Sequence, residues 1–345
     1  MFTSADSCPV IALAMGDPAG ISSELTAKLL ASDEIRAAAR LVVYGDRRVL
    51  EDGARVAGVE PDVAIAASDS PSPDAARPVF VDLGHLDPRH MQRGVASPAG
   101  GRFATENFRR ALRLAASGRA DAVCFTPFNK KAMRYAYPDY DDEIRFIRDV
   151  IGDTGPASEF NVLGSLWNAR VTSHIPLKEV AAAITPERVL RGLELTDASM
   201  RAAGFVTPRI AVAGLNPHAG DGGSFGREEI DVLEPAVRAA VERGIAAEGP
   251  FPADTVFLRA RDGAFDAVLT MYHDQGQIAM KLMGFDRGVT LLGGFPFPIA
   301  TPAHGTAYDI AGRGVANVGA SREALLLAAR MASRAARRAD AGVPS

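Results

Sequence analysis

Short apolar and β-branched runs alternate with longer amphipathic stretches along this chain, the pattern of an α/β architecture. Residues 10–15 predict a buried strand that ends at the turn Gly16-Asp17-Pro18-Ala19-Gly20, and a helix opens near Ser22. Residues 41–45 predict a second strand, and residues 120–125 a third that follows a helix over 105–116. Further strands are expected at 169–172, 209–213 and 267–271. Polar sequence containing Gly or Pro follows each of these at once, at 173–176, 214–218 and 272–276. Ligand sites in open α/β sheets gather at such carboxyl ends of strands.

His174, His218 and His273 occupy those three loops. Neutral imidazole is a common ligand of zinc and other divalent ions, and three of them leave coordination positions open for substrate. One loop histidine alone reads as solvated, but three at matching strand ends read as a ligand set. His85 and His90 lie in polar sequence and are left as ordinary loop residues. The run Asn216-Pro217-His218-Ala219-Gly220-Asp221-Gly222-Gly223 adds Gly-rich backbone beside His218. It reads equally as an anion cradle of N–H groups or as a turn before a helix starting near Arg227.

Composition narrows the class. With 345 residues, 47% hydrophobic and 23% charged, the chain has room for two domains of a globular protein. A net charge of -4 with no basic stretch excludes nucleic acid as the expected partner. Two cysteines far apart offer neither a disulfide framework nor a thiolate zinc site, which fits a reducing cytoplasm. Residues 1–6 lack a signal-peptide pattern, and no apolar run is long enough to span a membrane. Residues 66–77 read as a solvated loop, and 334–345 as a helix end followed by fraying.

Six ordered segments resemble the 4-hydroxythreonine-4-phosphate dehydrogenase family of vitamin B6 biosynthesis and its catabolic relatives. They are residues 15–20, 126–130, 173–177, 214–220, 253–257 and 271–276, so the likeness runs nearly end to end. The resemblance implies that His174, His218 and His273 bind a divalent ion, zinc foremost, and meet across a homodimer interface with shared active sites. Residues 304–312 resemble the adenosine-binding loop of isocitrate and isopropylmalate dehydrogenases, which assigns NAD to His304, Gly305, Thr306, Ala307 and Asp309. No G-x-G-x-x-G opens an early helix, in keeping with that assignment. Family matches give Lys281 and Asp254 catalytic roles and place Lys130 at the substrate.

The implied fold is isocitrate/isopropylmalate-dehydrogenase-like, two interleaved α/β domains with a cleft between them. The first is expected over 1–130 with 300–345, and the second over 131–299 with most metal ligands and the dimer interface. The implied reaction is oxidation of a secondary alcohol by NAD with loss of a β-carboxylate. A metal ion would acidify the hydroxyl and polarise the new carbonyl.

Two departures from the family pattern bear on substrate. The family's Thr-Gly-His-Thr-Glu-Phe has as counterpart residues 154–160, where Ser158 stands for the Thr and no histidine is present. A second register puts Asp141 and Asp142 there, which would repel a phosphate. The family's phosphate-contacting Asn and Arg fall at Thr290 and Ile299, with no Lys or Arg between Arg287 and Arg313. These changes make a non-phosphorylated hydroxy acid the expected substrate, such as a carboxylated cis-dihydrodiol of the terephthalate type. Alternatives are a 4-hydroxythreonine-4-phosphate or phospho-sugar-acid dehydrogenase, and an inactive metal- or ligand-binding relative. Residues 222–226 also fit G-x-S-x-G, but no strand precedes them and the match is set aside.

Overall fold

In chain order the strands are β1 (Val10–Ala14), β2 (Arg40–Gly45), β3 (Ala64–Ile65), β4 (Val79–Asp82) and β5 (Ala122–Phe125). They continue as β6 (Ser158–Leu163), β7 (Leu166–Arg170), β8 (Ile210–Ala213), β9 (Ala247–Phe251), β10 (Ala267–Thr270), β11 (Val289–Gly293) and β12 (Ile299–Pro302). This is a computed structural model, which describes residues 8–66, 73 and 77–340, with side chains to 335. The expected loop at 66–77 and the end of the tail therefore fall largely outside the described residues. The chain divides into two units, residues 1–155 with 295–345, and residues 156–294.

In the first unit the strand order is β3-β4-β2-β1-β5-β12, parallel throughout. Every residue of β1 and β5 is buried, which is why these strands read as unbroken apolar runs rather than alternating ones. The helix Pro98–Ala116 begins with Ser97 accepting from the Gly100 N–H and proline in the first turn, a favourable start. Its Phe108 meets Phe125, Phe128 and Phe146 at ring-centroid distances of 4.7, 5.0 and 5.5 Å. Phe146 belongs to the helix Glu143–Ile151, so this aromatic cluster keeps residues 131–155 in the first unit. The expected division at residue 130 differs for that reason.

In the second unit the order is β11-β6-β7-β10-β8-β9. The four strands from β7 to β9 are parallel, whereas β6 pairs antiparallel with both β7 and β11. Leu166, Ala211, Val256, Phe257, Phe265, Val268 and Met280 form one buried apolar cluster on these strands and their helices. Among the described residues no helix is long and apolar enough to cross a membrane.

Two loops of the first unit are tied by a buried acid. Asp17, 1% exposed, accepts from the Ala19 N–H and from the Tyr308 hydroxyl. Burial pushes its carboxyl above the usual range, with the two hydrogen bonds opposing. Relative to the unfolded chain, folding thus shifts the balance towards the protonated form. That contribution is full below the ordinary carboxylate pKa and is lost as pH rises through the raised folded value. Asp17→Asn supplies a neutral group that can still bond Tyr308. Its melting temperature relative to wild type is expected to improve as pH rises above the ordinary carboxylate range, by thermal unfolding; a difference independent of pH would refute the assignment.

The packing of the helix Lys130–Ala136 gives a second expectation. A Cβ on Gly101 would lie 1.9 Å from the Ala132 carbonyl oxygen, a backbone atom that cannot swing aside. Gly101→Ala should therefore destabilise by about 1–3 kcal/mol. An unchanged urea midpoint would show that these helices do not touch.

Candidate functional site

In the second unit, β7, β10 and β8 are parallel neighbours, so their carboxyl ends lie side by side. His174 follows β7, His273 opens the helix His273–Gly284 after β10, and His218 follows β8. Hydrogen bonds lock these strand ends together. The Thr172 N–H and hydroxyl both donate to the Met271 carbonyl, at 3.1 and 2.7 Å. The Gln275 carboxamide accepts from the Met271 N–H and donates to the Gly214 carbonyl, each at 2.7 Å.

A polar network secures the same loops from inside. Arg170, whose side chain is 2% exposed, ion-pairs with Glu159 at 2.8 Å and donates to Asn161 Oδ1 and Ser173 Oγ. Asn161 Oδ1 also accepts from Gln277, one turn beyond His273. Neither Arg170 nor Gln275 is recognisable from the sequence. Arg170 bonds across the β6–β7 pairing and Gln275 reaches Gly214 in a distant loop, and the one local signal is a lone arginine closing an apolar strand.

The His174 and His273 rings lie 5.7 Å apart, centroid to centroid, with an interplanar angle of 41°. Two imidazoles sharing one ion at about 2.1 Å have centroids on the order of 5 Å apart, so the pair is close to a ligating distance. Asp274 Oδ1 lies 2.7 Å from His273 Nδ1. A carboxylate there fixes the ring's tautomer and leaves Nε2 available as a donor, the usual arrangement behind a metal-binding histidine. Both the donor set and its support therefore fit a divalent ion. Among the described residues, however, no three His, Cys, Asp or Glu side chains gather closely enough to hold one within a single chain. His218 is exposed, with Phe225 beside it at 6.0 Å between rings.

His218 also has an unusual backbone. His218, Ala219, Gly220, Asp221 and Gly222 are successively left-handed, with φ from 45° to 80°. A left-handed helical conformation costs an L-residue roughly 1–2 kcal/mol, and three of these five are not glycine. Such outliers persist only where the surroundings enforce them.

The expected nucleotide loop lies in the first unit. The Ile21 N–H donates to the Thr306 carbonyl at 3.0 Å, and Thr306 is buried, so the loop is anchored on the turn after β1. Gly305 is open, with no atom within 4 Å of where a Cβ would be, and Ala307 is left-handed at φ 43°. His304 is held below its ordinary pKa by burial, partly offset by the Gly305 carbonyl. Asp309 is exposed. An open backbone beside a half-buried imidazole fits a nucleotide's flat, uncharged base.

The remaining expected residues fall as follows. Lys281 is exposed on the helix that His273 opens, two turns farther on, with its ammonium 5.9 Å from the Phe285 ring centroid. Asp254 is exposed in the first turn of the helix Ala253–Arg261. Lys130 donates to the Asp141 carbonyl at 3.2 Å, and Asp141 pairs with Arg145. Asp142 caps the helix Glu143–Ile151 by accepting from the Arg145 N–H at 2.9 Å. Both acids thus have local partners. Ser158 and Thr290 are half-buried on β6 and β11. Ile299 has no exposed surface at all, since it sits within β12 beside Val123.

Comparison with known proteins agrees with these motifs. Residues 37–328 match the family described as pyridoxal phosphate biosynthetic protein PdxA. A Rhizobium meliloti (strain 1021) protein, provisionally named 4-hydroxythreonine-4-phosphate dehydrogenase 2, is 66% identical over 94% of both chains. A D-threonate 4-phosphate dehydrogenase of Cupriavidus necator is 38% identical over 96% of this chain and 99% of its own. A crystal structure of a 4-hydroxythreonine-4-phosphate dehydrogenase from Burkholderia phymatum superposes with a TM-score of 0.78 at 36% identity, covering 94% and 98% of the two chains. These names specify phosphorylated substrates and overturn the expectation of a non-phosphorylated hydroxy acid, the terephthalate type included. The physical reason lies at Ile299: its side chain fills the interior of the sheet, so its apolar character says nothing about what a substrate meets. The chain is a mixed α/β dehydrogenase and belongs to the PdxA family.

Proposed function

We propose that this protein oxidises the secondary alcohol of a phosphorylated hydroxy acid, of the 4-hydroxythreonine 4-phosphate or D-threonate 4-phosphate kind, with NAD as hydride acceptor. The observation that carries the reading is the His174–His273 ring pair at adjoining strand ends, with Lys281 two turns along the same helix. His174, His218 and His273 are the residues that would hold a divalent ion. When bound, such an ion lowers the pKa of the substrate hydroxyl and polarises the carbonyl that replaces it. Asp274 orients the His273 ring for that task. Lys281 provides a positive charge or a proton at the substrate, and Arg287, exposed just beyond the helix, offers a second cation for the phosphate. Asp254, Lys130, Ser158 and Thr290 remain the other substrate-side candidates. His304, Gly305, Thr306, Ala307 and Asp309 form the proposed NAD loop.

The fold is proposed to be of the isocitrate/isopropylmalate-dehydrogenase kind, supported by a chain that leaves its first unit after residue 155 and returns at 295. A homodimer sharing its active sites is proposed as well. Ile278, Leu282 and Phe285 are 60%, 84% and 51% exposed along one side of the helix that carries His273 and Lys281. An apolar stripe of this kind on a site-bearing helix suits burial against a second copy.

The test supplies the purified chain with zinc or manganese and NAD, and compares each phosphorylated acid with its dephosphorylated form. NADH is expected only with a phosphorylated acid and only while metal is present. Equal turnover of the dephosphorylated acid, or full activity after chelation, would end the proposal. Asp274→Ala should weaken metal binding by about 10-fold, near the lower end for an outer-shell carboxylate because Asp274 is exposed. NAD affinity should be unchanged, as fluorescence titration would show.

A further inference from the structure

The left-handed turn bearing His218 must be held by something, and the interior of the second unit contains a carboxylate with no other evident duty. Glu229 is 2% exposed. Its Oε1 accepts from the Leu215 and Asn216 N–H groups at 2.8 and 2.7 Å, and its Oε2 accepts from Asn216 Nδ2 at 2.9 Å. The Asn216 amide is shared with Glu228 at 2.7 Å. On the far side of the turn, a Cβ on Gly220 would come within 2.7 Å of Glu229 Oε2, so the backbone there rests directly on the carboxylate. Glu229 also opens a five-residue π-helical segment, Glu229–Leu233, a local irregularity that recurs at functional sites.

We infer that Glu229 is the positioning residue of His218. Its carboxylate satisfies the amides at the root of the turn and supports the glycine in the middle, which holds the exposed His218 between them in a conformation it would not otherwise keep. Gln275 extends the same support to the root of His273, since it bonds the Gly214 carbonyl. The spacing of the imidazoles is therefore set by groups that need not touch metal or substrate. This rests on the proposed metal role of His218, and it goes beyond it by naming what fixes the ligand in place.

Glu229→Gln and Glu229→Leu test the inference in the full-length protein. The first keeps an oxygen for the two amides but sets an NH2 group against that of Asn216; the second removes every acceptor. Zinc titration against a competing chelator should show affinity about 10-fold weaker for Glu229→Gln and about 100-fold weaker for Glu229→Leu, the range for residues that orient metal ligands. Hydrogen exchange at Leu215 and Asn216, measured without metal, should accelerate in the same order, while NAD binding stays at the wild-type level. If Glu229→Leu does not fold, the isosteric Glu229→Gln decides. Wild-type zinc affinity together with unchanged exchange overturns the inference. A wild-type chain that takes up no zinc overturns the metal reading instead, and the exchange rates then judge the clamp by themselves.

Discussion

The second unit depends on hydrogen bonds that join three strand ends across the top of a parallel sheet. Parallel strands bring their carboxyl ends to one side, yet the loops that follow them diverge and would otherwise move independently. Here the carbonyls of Met271 and Gly214 are each used as anchor points, by Thr172 and Gln275. Beneath them Arg170, Asn161 and Gln277 bind the β7 loop to the helix after β10. A buried network of this kind fixes geometry when its members are satisfied. The distance between the His174 and His273 rings is a consequence of those bonds more than of either loop alone.

Support and strain are therefore paired. The turn at His218 is locally unfavourable in three non-glycine residues, and the interactions that maintain it come from a carboxylate, an asparagine and two glycines around it. The first unit shows a milder case, where left-handed Ala307 precedes Tyr308, whose hydroxyl reaches the buried Asp17. In both places left-handed backbone lies next to a polar group that is itself removed from water.

How much of this was legible in the sequence follows from what each element buries. Strands buried on both faces, such as β1, β5, β8 and β10, announce themselves as apolar runs. By contrast β6 mixes polar and apolar residues in an antiparallel pairing, β9 contains Gly249 and Pro250, and β12 is four residues ending in proline, so none of the three stands out as a strand. Misreading β12 had a chemical cost: Ile299 looked like a substrate contact because its burial depends on a strand that short periodicity cannot reveal. The strand-end positions of the three histidines were legible because strand ends are predictable. Arg170, Glu229 and Gln275 were not, since each acts through partners that only the fold brings near.

The place of β12 has a consequence for how the protein is made. One side of β5 pairs with β1, whereas the other awaits β12, which follows about 170 residues later in the chain. At a translation rate of roughly 5–20 residues per second, that strand stays without its second neighbour for on the order of ten to thirty seconds. The whole of the second unit emerges from the ribosome in that interval. The sheet of the first unit is therefore completed only after the second unit has been made, although its earlier strands are synthesised first.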